Sequence, residues 1–446
     1  MKAAFFTCIV TTLFALSVND AHGQPWYVDA TAGPGGTGTT PTSALNSIQL
    51  AIDMSMSGDT IYVLPGPPYV ESIVVSGKSI DILGTAGPAA TTIDGTSLGA
   101  TLVTLENGAD GLFEGFTLTN SAGTADGQAM RINSSNPVVR NCHFIDNTTN
   151  IGNGGAIFAE ASAATVIDCW FQGNVATDGG AFYAANCPAD LTVANCVFWQ
   201  NAAQGMSDND GGAIRNANSS PRYIHCTICE NTAGSDGGGL ASGGGGAPEV
   251  INCIVWGNSD SNGMGQDAQI YDQPGQVTSV NYSCVMAYAT LAGTGCIGLD
   301  PEFVNYTAGD FHLLPTSPCI DAGDPVAPGI PPTDVDGETR PQGLAPDMGV
   351  DEVPVFTRGD CNDDGGFDIG DPVAALNTLF ASGSALPACV KACDANDDGS
   401  FDIGDPVFML SALVASGNPP APPSFPTCGV DPTVDDLRCV DCAACP

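Results

Sequence analysis

Five cysteines, Cys142, Cys169, Cys196, Cys226 and Cys253, stand 27, 27, 30 and 27 residues apart. Two positions after each comes an apolar residue (Phe144, Phe171, Phe198, Ile228, Val255), and five positions after each an asparagine (Asn147, Asn174, Asn201, Asn231, Asn258). Further along sit the glycine pairs Gly154-Gly155, Gly179-Gly180, Gly211-Gly212 and Gly237-Gly238. A chain with several columns in register builds by stacking similar units, because each unit buries its apolar face only against its neighbours. The regular leucine framework of a leucine-rich repeat is missing. Each unit instead holds short runs of alternating apolar residues separated by turns. That pattern predicts a solenoid of parallel strands, with successive coils about 4.8 Å apart. Cysteine, aromatic and aliphatic columns then stack inward. The asparagines form a hydrogen-bonded ladder at a bend, and the glycines take positive φ at corners.

The Cys-x-[Phe/Ile/Val]-x-x-Asn element and the Gly-Gly-Ala-Ile stretches at 154–157 and 211–214 resemble the right-handed β-helix repeats of bacterial exported proteins. These include the pectate-lyase-like superfamily and polymorphic outer-membrane proteins. The flanks agree. Trp26-Tyr27-Val28-Asp29 and Gly58-Asp59-Thr60-Ile61-Tyr62-Val63 are similar to the usual opening, with 43–56 as a capping helix. LDPEFVN from Leu299, SPCIDAGDP, DVDGETRPQ and DMGVDE are similar to the closing segment. The resemblance spans about residues 26–352 and implies an all-β, right-handed parallel β-helix. It implies no single activity, because this scaffold hosts many.

A lyase of that superfamily needs a strong base beside calcium. The repeats offer only Arg131, Arg140, Arg215 and Arg222, scattered through the unit, and the residue set of the related hydrolases is not found. Asp178, Asp210 and Asp236 each precede a glycine pair, with Asn153 at the same place one unit earlier. Carboxylates about 5 Å apart on successive coils suit acid/base pairs for glycoside hydrolysis. Asp-Gly and Asn-Gly are equally the preferred dipeptides of a turn. The stacked cysteines read as small buried hydrophobes, with bridging between neighbouring coils left open. Cys226 and Cys229 form a lone CxxC, and His143, His225 and His312 have no spacing that suggests a metal site.

Near the C-terminus DCNDDGGFDIGDP returns as DANDDGSFDIGDP, 34 positions on. Oxygen donors fall at Asp360, Asn362, Asp364, the backbone of Gly366, Asp368 and Asp371, with Gly365 at the sharp turn. The second copy supplies Asp394, Asn396, Asp398, the Ser400 backbone, Asp402 and Asp405, with Gly399 at the turn. Such a run of hard oxygens in one 12-residue loop is calcium chemistry, so two Ca2+ sites are expected. Asp371-Pro372 and Asp405-Pro406 supply an N-cap and a first-turn proline for a following helix. Val373, Leu376, Leu379 and Phe380 form one apolar face, matched by Val407, Leu410, Leu413 and Val414. No clear helix precedes either loop. The pair resembles the loop–helix repeats of type I dockerins over 359 to about 418, and Asp at position twelve agrees with that family. The resemblance implies docking to a cohesin-like or other surface protein. Ile369-Gly370 and Ile403-Gly404 replace the hydroxyl pair of cellulosomal members, which puts a cellulosomal cohesin in doubt.

With 49 acidic against 10 basic residues, a net charge of −39 disfavours nucleic acid and anionic membranes as partners. Residues 1–23 carry Lys2, an apolar run and Ala21-His22-Gly23, which read as an export signal of a bacterial, extracellular or surface-associated protein. No later segment is apolar enough to cross a membrane. The expected organisation is then a β-helix over 24–352, a linker at 353–358, the calcium module at 359–418 and a Pro/Cys-rich tail at 419–446. Cys361, Cys389, Cys393, Cys428, Cys439, Cys442 and Cys445 read as disulfide staples of unknown connectivity rather than a zinc set. The function expected is docking of a calcium-binding β-helix into an extracellular assembly, with glycan bound along the helix. The alternative is a carbohydrate-active enzyme, a polysaccharide lyase or glycoside hydrolase, brought to polysaccharide by its docking module.

Overall fold

The structure is a computed structural model describing residues 23–205, 209–288, 293–433, 435, 437–440, 442 and 445. All but the last residue of the expected export signal lies outside them. Three long parallel sheets run the length of the solenoid. The first holds ten strands from Pro25–Val28 to Ser279–Asn281, the second eight from Ile73–Ser76 to Ile270–Asp272, and the third eight from Thr92–Asp94 to Cys284–Val285. A fourth, of five two-residue strands, lines one corner from Ala122–Gly123 to Thr232–Ala233. One circuit passes through Met130–Asn133, Val138–Arg140, His143–Ile145 and Thr148–Thr149 before Ile157–Glu160 begins the next. Each strand pairs in parallel with its counterparts one coil away. The parallel β-helix expected from the 27-residue period is therefore present. No helix of the described residues is long and apolar enough to cross a membrane.

The columns stack as the spacing predicts. Phe144, Phe171, Phe198, Ile228 and Val255 are register partners on the third sheet. The rings of Phe144 and Phe171 lie 4.9 Å apart at 4°, and those of Phe171 and Phe198 4.5 Å apart at 2°. Burying each such ring contributes about 1.5–3 kcal/mol. The five column cysteines are buried, unbridged thiols, and each Sγ donates to the carbonyl two residues earlier. The residue before each of them bends the chain with a left-handed φ, from 47° at Asn141 to 55° at Asn252. At the corners the first glycine of each pair is left-handed. At Gly211 (φ 72°) an added Cβ would lie 2.2 Å from the Ile214 carbonyl oxygen, so no other residue fits.

Asn147, Asn174, Asn201, Asn231 and Asn258 are all fully buried. The Nδ2 of each of the first four donates to the Oδ1 of the next asparagine at 2.9–3.0 Å. All five also donate to a carbonyl of the preceding coil, from Leu118 to Ile228. Gln269 ends the ladder by accepting from Asn258 Nδ2 at 3.0 Å and donating to the Asn258 carbonyl at 2.9 Å.

The N-terminal end of the solenoid and one of its flanks are covered. Helix Ile48–Met54, within the span expected for a cap, buries Ile48, Ala51 and Ile52 at the N-terminal end. Glu71 accepts from the N–H groups of Ile48 and Gln49 at its start, and Lys78 Nζ donates to the carbonyls of Ile52 and Ser55 at its finish. That charge placement matches the helix dipole. The closing segment forms the hairpin Phe303–Asn305/Asp310–Leu313 and lies over the outer face of the third sheet. There Phe303, Phe311, Met348 and Val350 pack with Trp199, Ile254 and Cys229 in a second core. Fully buried Arg340 fastens it, donating to Glu352, Asn195 and the Val350 carbonyl.

Residues 353–358, expected to be a linker, instead carry a strand, Val355–Phe356, paired antiparallel with Gly429–Val430. Helices Gly370–Phe380 and Gly404–Val414 follow the two acidic loops, and a short helix, Val390–Cys393, precedes the second where none was expected. Disulfides join Cys361 to Cys393, Cys389 to Cys439 and Cys428 to Cys445, leaving Cys442 a thiol. The apolar helix faces read from the sequence are not the packed ones. Val373, Phe380, Val407 and Val414 are 50–74% exposed, whereas Ala375 and Met409 are buried around Cys361–Cys393. Asp371 and Asp405 lie inside the first turn rather than at the cap.

Replacing Asn201 by Ala removes two donors and an acceptor shared by the N–H and Nδ2 of Asn174. The expected loss is about 2–4 kcal/mol in urea unfolding. A loss below about 0.5 kcal/mol would contradict a stabilising ladder. Arg358 is completely buried between Asp397 at 2.9 Å and Asp431 at 2.7 Å, and it donates to the Asp394 carbonyl. Arg358→Leu takes the buried guanidinium from both carboxylates and leaves the Asp394 carbonyl without that donor, and should cost about 3–5 kcal/mol, read from the unfolding midpoint of the C-terminal module.

Candidate functional site

The two acidic loops fold as near copies. Asp360 opens the first, its two oxygens accepting from the N–H groups of Asp364 at 3.1 Å and Gly365 at 2.9 Å. Asp394 does the same for Asp398 at 3.2 Å and Gly399 at 2.9 Å. Gly365 and Gly399 make the turn at φ 81° and 78°. Asp371 and Asp405 do not cap their helices because their oxygens turn back into the loop, accepting from Asp368 N at 2.8 Å and Asp402 N at 2.9 Å. Asn362 and Asn396 donate to Asp364 and Asp398 at 2.8 and 2.9 Å. Asp368 and Asp402 accept from Gly370 and Gly404 at 2.6 Å.

Asp360, Asp371, Asp394 and Asp405 are at most 1% exposed. Burial pushes the Asp371 carboxyl up to about 6 and that of Asp405 to about 7, and raises Asp360 and Asp394 as well. Each loop thus buries two carboxylates that are held mainly by backbone N–H groups. The donors are all hard oxygens, so the residues present fit calcium.

On the solenoid, the sequence-predicted Asp178, Asp210 and Asp236 do lie on successive coils. Gly154 N, Gly179 N and Gly211 N donate in turn to the backbone carbonyls of Asp178, Asp210 and Asp236. Asp126, which sequence reasoning missed because a single glycine follows it, occupies the same corner below Asn153. The carboxylates act largely as turn acceptors. Asp126 accepts from Asn153 N at 2.8 Å and Asp178 from Asp210 N at 3.0 Å. Asp210 is 6% exposed and 3.8 Å from Arg215.

Beside this corner the outer face of the second sheet carries a ladder of register partners: Arg131, Phe158, Tyr183, Arg215, Ala241 and Tyr271. Arg131 sits 5.3 Å over the Phe158 ring, which stacks on Tyr183 at 5.3 Å and 13°. Tyr271 bonds Asp236, and burial followed by the surrounding aspartates raises its hydroxyl pKa. No spacing rule pointed to this strip, because its members are unlike residues at like positions.

A cavity of about 390 Å³ lies between the closing segment and the C-terminal module. Asp310, His312, Asp336 and Asp351 line one wall, Lys391 and Asp435 the other. His312 Nδ1 bonds Asp310 at 2.7 Å and Nε2 bonds Asp336 at 3.1 Å. The Asp336 bond, ahead of the other carboxylates, lifts the imidazole to about 10. Burial pushes Asp351 up to about 7, and burial followed by Asp334 pushes Glu338 to about 8. Sequence spacing suggested no metal site at His312, since Asp336 and Asp351 come from 24 and 39 positions away. The CxxC cysteines, by contrast, face opposite ways, Cys226 into the solenoid core and Cys229 into the core under the closing segment.

The family model described as "Right handed beta helix region" matches residues 80–255. No curated protein matches the chain. Among solved structures, the crystal structure of pectate lyase Pel9A is similar at 17% identity and a TM-score of 0.45, over 74% of this chain and 96% of that one. A rhamnogalacturonan lyase is similar at 11% identity and a TM-score of 0.29, over 63% of this chain and 91% of that one. At these values neither likeness bears on chemistry. What is established is a right-handed β-helix with a stapled C-terminal module.

Proposed function

We propose that this chain is an exported docking protein whose C-terminal module is ordered by two calcium ions and whose β-helix holds a glycan. One observation carries the docking reading. Above the twin loops, Ile369, Val373 and Phe380 on one helix and Ile403, Val407 and Val414 on the other are 49–74% exposed at matching positions. Apolar side chains set out twice on a small stapled module form a surface made to be covered. Calcium would be held by Asp360, Asn362, Asp364, Gly366, Asp368 and Asp371, and by Asp394, Asn396, Asp398, Ser400, Asp402 and Asp405. When bound, it neutralises buried carboxylates and locks each loop against its helix. The partner is a cohesin-like or other surface protein.

The strip from Arg131 to Tyr271 supports glycan binding. Sugar C–H faces pack on aromatic rings, while the neighbouring arginine and aspartates can bond hydroxyls. Phe158, Arg215 and Ala241 are buried, so the partly exposed Arg131, Tyr183 and Tyr271 are the members that a sugar would meet, spread over five steps of about 4.8 Å. Cleavage has less support, because the aspartate column spends its oxygens on backbone N–H groups and Arg215.

Calorimetric titration of the full chain should show two calcium sites, with Asp360→Ala and Asp394→Ala each removing one. EDTA should abolish the helical circular dichroism of the module, and an unchanged spectrum together with no calcium uptake would end this reading. A calcium-dependent pull-down of surface proteins should survive Val373→Asp or Val407→Asp alone, since the module has two equivalent faces, and fail in the double variant. On polysaccharide affinity gels, Tyr183→Ala should weaken retention by about 1 kcal/mol without changing the unfolding midpoint. New reducing ends in the same panel would replace the binding reading with an enzymatic one.

A further inference from the structure

The His312 cluster belongs neither to the calcium loops nor to the aromatic strip. His312 and Asp310 project from the same strand of the closing hairpin, Asp336 comes from the loop after it, and Asp351 from the end of the closing segment. One ligand atom from each of His312, Asp336 and Asp351 lies within 4.8 Å of the others, and a second set, Asp334, Asp336 and Glu338, shares Asp336. Asp351 is 6% exposed and ties one oxygen to Leu313 N at 2.8 Å. Asp310 holds His312 Nδ1 from outside the three-residue set. A carboxylate on the far nitrogen fixes the tautomer that presents Nε2, the arrangement that accompanies histidine ligation of metals.

We propose that His312 Nε2, Asp336 and Asp351 bind a divalent transition-metal cation of the zinc or manganese kind. An imidazole in the donor set distinguishes this site from the all-oxygen loops and disfavours calcium. The cation takes the place of the proton that Nε2 shares with Asp336, and it offsets charge where Asp334, Asp336, Glu338 and Asp351 gather. Three protein ligands leave coordination positions open. They face the 390 Å³ cavity on one side and a cavity of about 270 Å³, walled by Trp170 and Phe311, on the other. Water or an oxygen-bearing ligand can occupy them. Asp310 is a positioning residue, and the site does not depend on the calcium or glycan readings.

The test is calorimetric titration of the full chain with zinc chloride, in buffer containing excess calcium. One zinc equivalent should bind that calcium does not displace. His312→Gln, at an exposed ring whose loss leaves folding intact, and Asp351→Asn should each abolish it. Asp310→Asn should weaken it by about 10–100-fold while keeping the stoichiometry. Cobalt(II) at the same site should give visible bands without thiolate charge transfer, which separates it from binding at Cys442. Zinc uptake that is unchanged in His312→Gln, displaced by calcium, or marked by a thiolate band would overturn the proposal, as would no uptake at all.

Discussion

No coil of this protein can satisfy itself. Each strand is two to four residues long and finds its backbone partners only on the coils before and after it. The same neighbours close over its inward side chain. Everything else depends on that register: the phenylalanine stack, the thiol column, the corner glycines and the position of every outward residue. A slip by one residue would turn each column inside out. The buried asparagines oppose such a slip, because an amide out of line would leave polar groups unpaired in the core.

The outer surfaces are a consequence of the inner ones. Because like residues stack inward at fixed intervals, unlike residues are delivered outward at the same intervals. The Phe158–Tyr183 pair and the aspartate corner are two such deliveries. The third sheet is different, being covered on both faces. Its outward Trp170 and Trp199 lie against Phe311 of the closing segment, which is how a histidine and several carboxylates come to rest beside aromatic rings.

Legibility followed the physics. The Cys142 to Cys253 spacing and the asparagine column were readable because a solenoid repeats one local environment, so one rule applies many times. The acidic loops were readable because a cluster of oxygen donors written within twelve residues is a local object. Val373 and Phe380 were misread because amphipathic spacing shows which residues share a face, not whether a core or a partner covers it. Asp371 was misplaced as a cap because an aspartate at a helix start can serve the helix or the loop, and here the loop takes it. Arg358, read as linker, and the His312 cluster were invisible, since their partners Asp431, Asp336 and Asp351 are brought near only by the complete fold.

Gln269 bears on how such a chain could lengthen. It belongs to a short helix rather than a repeat, yet it accepts the ladder's last amide and returns a donor to the same residue. The amide series thus has a terminator of a different chemical length. A whole unit duplicated upstream of it would inherit a partner on each side, and the terminator would move along unchanged. A unit added downstream would meet a finished surface. Growth by duplication is therefore directional, with new coils entering the middle of the solenoid while its closing segment and everything attached beyond it travel outward as one block.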